Sequence, residues 1–133
     1  DLSGLHVDEV HPFLGASPDG LISCKCCGEG LLEMKCSYLF KNKTPQEACT
    51  DHHYHVYLDH NNSVRLKESS SWYTQIQGQM GVCKKPWCDF ILYTKKGIAV
   101  DRIYFDNQLY EKIVKASKKF YEKYIVNALI NTN

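Results

Sequence analysis

The sequence predicts one α/β (α+β) domain over residues 1–133, built as a mixed central sheet flanked by helices. Three observations predict it. Hydrophobic periodicity runs in the order strands, helix, strands, helix, with no internal repeat or low-complexity stretch. A length of 133 residues allows one hydrophobic core and leaves no room for a second. An apolar fraction of 44% with 23% charged residues is that of an ordinary globular chain, which sets disordered and fibrous classes aside.

Taken in order, the chain opens with short extended pieces punctuated by Gly4, Pro12 and Gly15. Ser17-Pro18-Asp19-Gly20 then suits a type I turn, with Pro second and Gly fourth. Residues 21–24 and 30–35 read as two strands of a hairpin, joined by a loop carrying Cys26, Cys27 and Gly28. A short helix is expected within 41–50, where Thr44 is the N-cap, Pro45 the first-turn proline and Glu47 the acid. Residues 56–58 and 64–66 form a small hairpin around Asp59-His60-Asn61-Asn62. From 70 to 83, Trp72, Ile76 and Met80 recur every four residues and mark one helix face, which Pro86 closes. Strands over 90–94 and 98–105 flank Lys96-Gly97, and Asn107 caps a long final helix. Its expected buried stripe is Leu109, Ile113, Ala116, Phe120 and Tyr124.

Sixteen basic against fifteen acidic residues exclude a wholly basic, histone-like surface and leave a local groove as the way to hold phosphates. No apolar run approaches the roughly 18 residues that span a bilayer, so a soluble protein without a membrane partner is expected. Seven cysteines is an odd number, and Cys24, Cys26 and Cys27 are too crowded for three ordinary disulfides. A reducing, intracellular compartment is expected, with cytoplasm and nucleus undistinguished.

The chemistry concentrates in Leu31-Leu32-Glu33-Met34-Lys35. Strand alternation puts Glu33 and Lys35 on one face and Leu32 and Met34 on the other, expected to be the core face. An acid and a base two apart on a strand are, by themselves, usually a solvated face, and Ser-Pro-Asp-Gly by itself is a turn. Together they read differently: Asp19 lies at the mouth of the hairpin whose return strand carries Glu33 and Lys35. Two carboxylates, with the main-chain carbonyl of Met34, are the hard oxygens that Mg²⁺ prefers, and Mn²⁺ can substitute. An ammonium beside such an ion can hold and polarise the water that attacks a phosphodiester.

Leu14-Gly15-Ala16-Ser17-Pro18-Asp19-Gly20-Leu21, then Leu32-Glu33-Met34-Lys35-Cys36, then Tyr73-Thr74-Gln75-Ile76-Gln77-Gly78-Gln79-Met80 resembles the phage lambda exonuclease and YqaJ-like viral recombinase family of PD-(D/E)xK nucleases, over roughly residues 5–129. The resemblance implies a restriction-endonuclease-like core and a Mg²⁺-dependent deoxyribonuclease, an exonuclease working from DNA ends in recombination of viral or mobile-element DNA. It implies Asp19 and Glu33 as metal ligands, Met34 as a main-chain ligand, Lys35 as the group that activates water and Gln75 as a catalytic polar group. Gln77 holds the second position of the family's Q-x-Q; with Ser17 and Tyr73 it is a candidate substrate contact. A homo-oligomer and a recombination partner protein are further expectations of the family. Two departures stand out: the family's upstream helical segment is expected to be missing, and Ser37 replaces the usual proline after the E-x-K-C string. Asp8 or Glu9 is a candidate for a further carboxylate.

Two other function classes compete. A DNA-binding domain that kept the nuclease fold but lost useful activity fits the missing segment. A zinc-stabilised interaction module would use Cys24, Cys26 and Cys27 with Cys36, Cys49 or the histidines His52, His53 and His55, although no pair of standard knuckles is present and reduced thiols with surface histidines are the better account. Cys83 and Cys88, flanking a helix-to-strand turn, are expected to be buried thiols. Lys112, Lys115, Lys118, Lys119 and Lys123 form the polar side of the last helix, whereas Tyr38 and Trp72 are aromatics that could stack on bases.

Overall fold

The computed structural model describes residues 3–131. Its centre is a four-stranded sheet of β3 (Gly20–Cys24), β4 (Gly28–Cys36), β7 (Trp87–Thr94) and β8 (Gly97–Tyr104), in that spatial order. β3 and β4 are antiparallel, β4 and β7 parallel, and β7 and β8 antiparallel, so the sheet is mixed as expected. The parallel pair forces a long crossover, which carries α1 (Pro45–Ala48), the hairpin β5 (Val56–Leu58) and β6 (Val64–Leu66), and α2 (Ser71–Cys83). A two-stranded ribbon, β1 (His6–Val7) with β2 (Gly15–Ala16), precedes the sheet, and α3 (Asn107–Phe120) follows it. Beyond α3 lie a π-helical stretch, Tyr121–Val126, and a last turn, α4 (Asn127–Ile130).

Local chemistry explains most boundaries. Thr44 and Glu47 complete a reciprocal capping box on α1. Ser70 caps α2 by accepting from the Trp72 amide, and Lys84 ends it in the left-handed conformation at φ 54°. The cap of α3 is Asp106, whose carboxylate accepts from the Leu109 amide, one residue before the expected Asn107. Residues 17–20 make a bend at Asp19 that runs straight into β3, in place of a closed turn.

The core lies on the face opposite to the one expected. Leu31, Glu33 and Lys35 of β4 share a side with Cys88, Phe90 and Leu92 of β7, and α2 covers that side with Ile76 and Met80, both fully buried. The reason is that β4 carries leucine on both faces, so its alternation does not declare which one is covered; α2 decides it. Each of these large apolar side chains contributes about 1.5–3 kcal/mol by leaving water. On the opposite face Met34, Tyr93, Ile98 and Val100 are exposed.

The hairpin β5–β6 is fastened to the sheet electrostatically. The Asp101 carboxylate, buried on β8, accepts from Arg65 at 2.7 Å and from the Leu66 amide at 2.9 Å. It is fastened to α2 by His55, whose ring stacks on Trp72 at 3.7 Å with its Nδ1 2.7 Å from the Ser70 hydroxyl. Burial, then the charges of Lys67 and Lys35, hold the His55 pKa below its ordinary value.

α3 buries none of its side chains fully, and its stripe only half matches expectation. Leu109 and Ile113 are half-buried, whereas Ala116, Phe120 and Tyr124 are exposed; Tyr110, Val114, Ser117 and Tyr121 are partly covered instead. The helix is turned by two aromatic contacts. Tyr110 lies directly on Gly81 of α2 and donates to the buried Asp8, and Tyr121 stacks on Phe13 at 5.5 Å. Among the described residues no helix is long and apolar enough to cross a membrane.

A methyl group at Gly81 would overlap the Tyr110 ring, whereas one at Gly78 meets open space. Gly81→Ala should therefore cost about 1–3 kcal/mol in urea unfolding, and Gly78→Ala should be neutral or gain up to about 1 kcal/mol. The depressed His55 pKa has a definite sign. The stability contributed by its neutral form is complete above the unfolded value of 6.5 and is lost as pH falls through the folded value. The melting temperature should drop as pH falls below the unfolded value of 6.5, with a shallower slope in His55→Gln.

Candidate active site

Glu33 sits in register with Phe90 of β7 and is 3% exposed. A carboxylate buried this deeply needs compensation, and α2 supplies it together with Lys35. Glu33 Oε1 accepts from Lys35 Nζ at 2.7 Å and from Gln75 Nε2 at 2.8 Å, while Oε2 accepts from Gln79 Nε2 at 3.1 Å. Lys35 Nζ also donates to Gln75 Oε1 at 3.0 Å, which closes a three-membered ring of contacts. The ammonium stands 6.0 Å over the Trp72 ring. Cys88, below Glu33, is pushed up to about 12 by burial and by the carboxylates of Glu33, Asp89 and Asp19, so its thiol remains an inert core group.

Asp19 arrives from the other side. Its strand pairing starts only at Gly20, opposite Leu32, so the Met34 amide lies beyond the end of β3 and has no ladder partner there. Asp19 Oδ2 accepts from that amide at 2.8 Å. The carbonyl of a strand residue points to the same edge as its own N–H, so the Met34 carbonyl opens on the Asp19 side. Asp19 is exposed and Glu33 is not, which puts one carboxylate at the surface and the other at the floor.

A cavity of about 510 Å³ adjoins this group, lined by Ser17, Thr74, Gln75, Gly78 and Gln79 among others. Among the described residues Gln79 Oε1 is buried without a hydrogen-bond partner. The donor set of carboxylates, a main-chain carbonyl and this orphaned amide oxygen beside a cavity suits a hard divalent cation carrying waters.

The structure thus links Glu33, Lys35 and Gln75 directly and ties Asp19 to the amide of the intervening Met34, with Ser17 and Gln75 lining the adjoining cavity. Gln77 does not join them. Fully buried, it donates to the Tyr104 carbonyl and accepts from the Asp106 amide, tying α2 to the end of β8. Tyr73 lines a separate depression with Asp101 and Tyr104. At about 100° per residue, positions two apart on a helix point to opposite sides, and positions four apart share one. The same rule identifies Gln79, the site residue that motif matching passed over.

The remaining candidates lie elsewhere. Asp8 accepts from the amides of Val10 and His11 and from the Tyr110 hydroxyl; burial works against its charge, but these donors hold its pKa below the ordinary value. Glu9 pairs with Lys84. Tyr38 is exposed beside Lys41, and His52 and His53 are exposed. Cys24, Cys26 and Cys27 do converge, at the far end of the β3–β4 hairpin, with no fourth His, Cys, Asp or Glu joining them among the described residues. Sharing a proton with Cys26 lowers Cys24 to about 7 and raises Cys26 to about 11.

Residues 1–86 match the YqaJ-like viral recombinase domain. No curated protein matches the sequence. Among solved structures, an alkaline exonuclease (LHK-Exo) from Laribacter hongkongensis is similar to the whole chain, with a TM-score of 0.64 and 24% identity. The chain spans 63% of that protein's length. LHK-Exo in complex with dAMP gives a TM-score of 0.62 at 24% identity, covering 98% of this chain and 62% of that one. The fold is therefore that of the alkaline exonuclease, and a match over 86 of 133 residues establishes that the chain belongs to the YqaJ-like viral recombinase domain family.

Proposed function

We propose that this chain is the PD-(D/E)xK core of a Mg²⁺-dependent deoxyribonuclease that hydrolyses DNA phosphodiester bonds from DNA ends. The observation that carries the reading is the buried Glu33 carboxylate, ringed by Lys35, Gln75 and Gln79, directly before the residue whose amide holds Asp19. The binding of dAMP by LHK-Exo and the recombinase family both favour a nucleic-acid substrate in recombination.

Asp19, Glu33 and the Met34 carbonyl would hold the ion, which when bound polarises the scissile phosphate and acidifies a water. Lys35 holds that water for in-line attack and neutralises charge growing on the phosphate oxygens. Gln75 keeps the Lys35 ammonium at the mouth of the site by accepting from it, and keeps Glu33 in place by donating to it. Gln79 fixes the second Glu33 oxygen from below. Ser17, on the cavity rim, donates to a phosphate of the entering strand.

A second reading is a DNA-binding domain that keeps the nuclease fold with little turnover. Tight binding of linear duplex without cleavage across Mg²⁺ and Mn²⁺ would establish it.

With linear duplex and Mg²⁺, Lys35→Ala and Glu33→Ala should each lose about a thousandfold in rate. Equal product from all three proteins would refute the assignment. Covalently closed circles should survive where linear DNA is degraded; rapid cutting of circles would contradict end dependence. Gln79→Leu should weaken the apparent affinity for Mg²⁺ about tenfold with a smaller change in the saturated rate, whereas Gln77→Leu should lower stability and leave the metal dependence alone.

A further inference from the structure

The β3–β4 hairpin carries chemistry at both ends. The nuclease reading uses the Asp19 end and leaves unexplained the tip, Cys24-Lys25-Cys26-Cys27-Gly28. There the sulfurs of Cys24 and Cys26 lie 3.0 Å apart and those of Cys26 and Cys27 3.4 Å apart, and all three fall within 4.8 Å of one another. Three thiols converge on one point of the surface.

The tip is also held in shape. Gly28 turns the chain at φ +74°, a conformation that a side chain would strain. The Cys27 carbonyl accepts from the Trp87 indole N–H at 3.0 Å, and a Cβ at Gly30 would overlap the same indole, so the ring presses on the hairpin backbone. The Arg102 guanidinium stacks on that ring at 3.8 Å, is fixed by two bonds to Asp89 at 2.7 and 2.8 Å, and interacts with the Cys27 side chain. A fixed positive charge beside the cluster offsets the repulsion between thiolates brought to one ion.

We propose that Cys24, Cys26 and Cys27 form a three-thiolate site for one soft d¹⁰ cation, Cu⁺ or Zn²⁺, independent of the hard-cation site at Asp19 and Glu33. Thiolate sulfur selects these ions over Mg²⁺ and Ca²⁺. With zinc–sulfur bonds of about 2.3 Å, three sulfurs around one ion stand roughly 3.7–4.0 Å apart, a small opening from the spacing present. Three protein ligands satisfy trigonal Cu⁺ and leave Zn²⁺ one position for water. Binding ties the hairpin tip together at a distance of four residue pairs from Gly20, about 13 Å along the strand.

The test uses the full chain, reduced and desalted without oxygen, titrated separately with Zn²⁺, Cu⁺ and, as a coloured stand-in for zinc, Co²⁺. The expected result is one equivalent of ion in native mass spectrometry and a sulfur-to-cobalt charge-transfer band in the near ultraviolet. Both should be lost in Cys26→Ser and in Cys27→Ser and kept in Cys36→Ser. Glu33→Gln should keep the band, because carboxylate-bound Co²⁺ produces none; this separates the site from the nuclease reading. Preferential retention of Cu⁺ or of Zn²⁺ would support the site and identify its ion. Absence of any thiolate band, or a band that persists in both Cys26→Ser and Cys27→Ser, would overturn it.

Discussion

A carboxylate lying in the layer between a sheet and the helix that covers it is the constraint around which this domain is organised. Glu33 occupies a position where its neighbours across the strand are Phe90 and, two residues back on its own strand, Leu31. An unpaired charge there would cost several kcal/mol. The fold responds by making the covering helix partly polar at that one point: Gln75 and Gln79 replace the apolar residues that would otherwise continue the stripe of Trp72, Ile76 and Met80. Lys35 completes the compensation from the same strand. Replacing the whole group with packed apolar side chains would be at least as stable, so stability does not explain its presence. The proposed cation site would.

The mixed topology follows from the same need. β4 lies between β3 and β7, and where Glu33 and Lys35 sit it is paired with β7 alone. β3 stops two residues short of Met34, which frees one amide and one carbonyl at the edge of an otherwise complete ladder. Asp19 takes the amide. The long parallel crossover between β4 and β7 is what delivers α2, and with it the glutamines, onto the Glu33 side. Outlying pieces are attached by polar contacts beside burial: the small hairpin through Asp101 and His55 together with buried Val56, Val64 and Leu66, the N-terminal ribbon through Asp8 and Tyr110.

Much of this was legible in the residues. The capping box at Thr44 and Glu47, the hairpin chemistry at 59–62 and the four-residue spacing of Trp72, Ile76 and Met80 each depend on local rules, and each element lies where those rules put it. The strand pair of Glu33 and Lys35 was legible for the same reason. What local rules do not contain is which face a tertiary partner covers. β4 reads Leu31, Leu32, Glu33, Met34, Lys35, apolar on both sides, and the covered side turned out to be the charged one. Gln77 shares the motif with Gln75, but its helical angle turns it into the core against Tyr104 and Asp106. The last helix misled because its amphipathic pattern is strong while its packing is set by two ring contacts, Tyr110 on Gly81 and Tyr121 on Phe13, that periodicity does not encode. The convergence of Cys24, Cys26 and Cys27 required the curvature of the hairpin tip.

The central claim is that Glu33 is buried at an energetic cost for the sake of a divalent ion held with Asp19. Thermal unfolding of the wild type and of Glu33→Gln, each with and without saturating Mn²⁺ and no DNA present, tests it most directly. The account predicts that Mn²⁺ raises the wild-type melting temperature while leaving that of Glu33→Gln unmoved, the variant itself starting lower because Lys35, Gln75 and Gln79 lose their shared acceptor. An equal Mn²⁺ shift in both proteins, or no shift in the wild type, would contradict it.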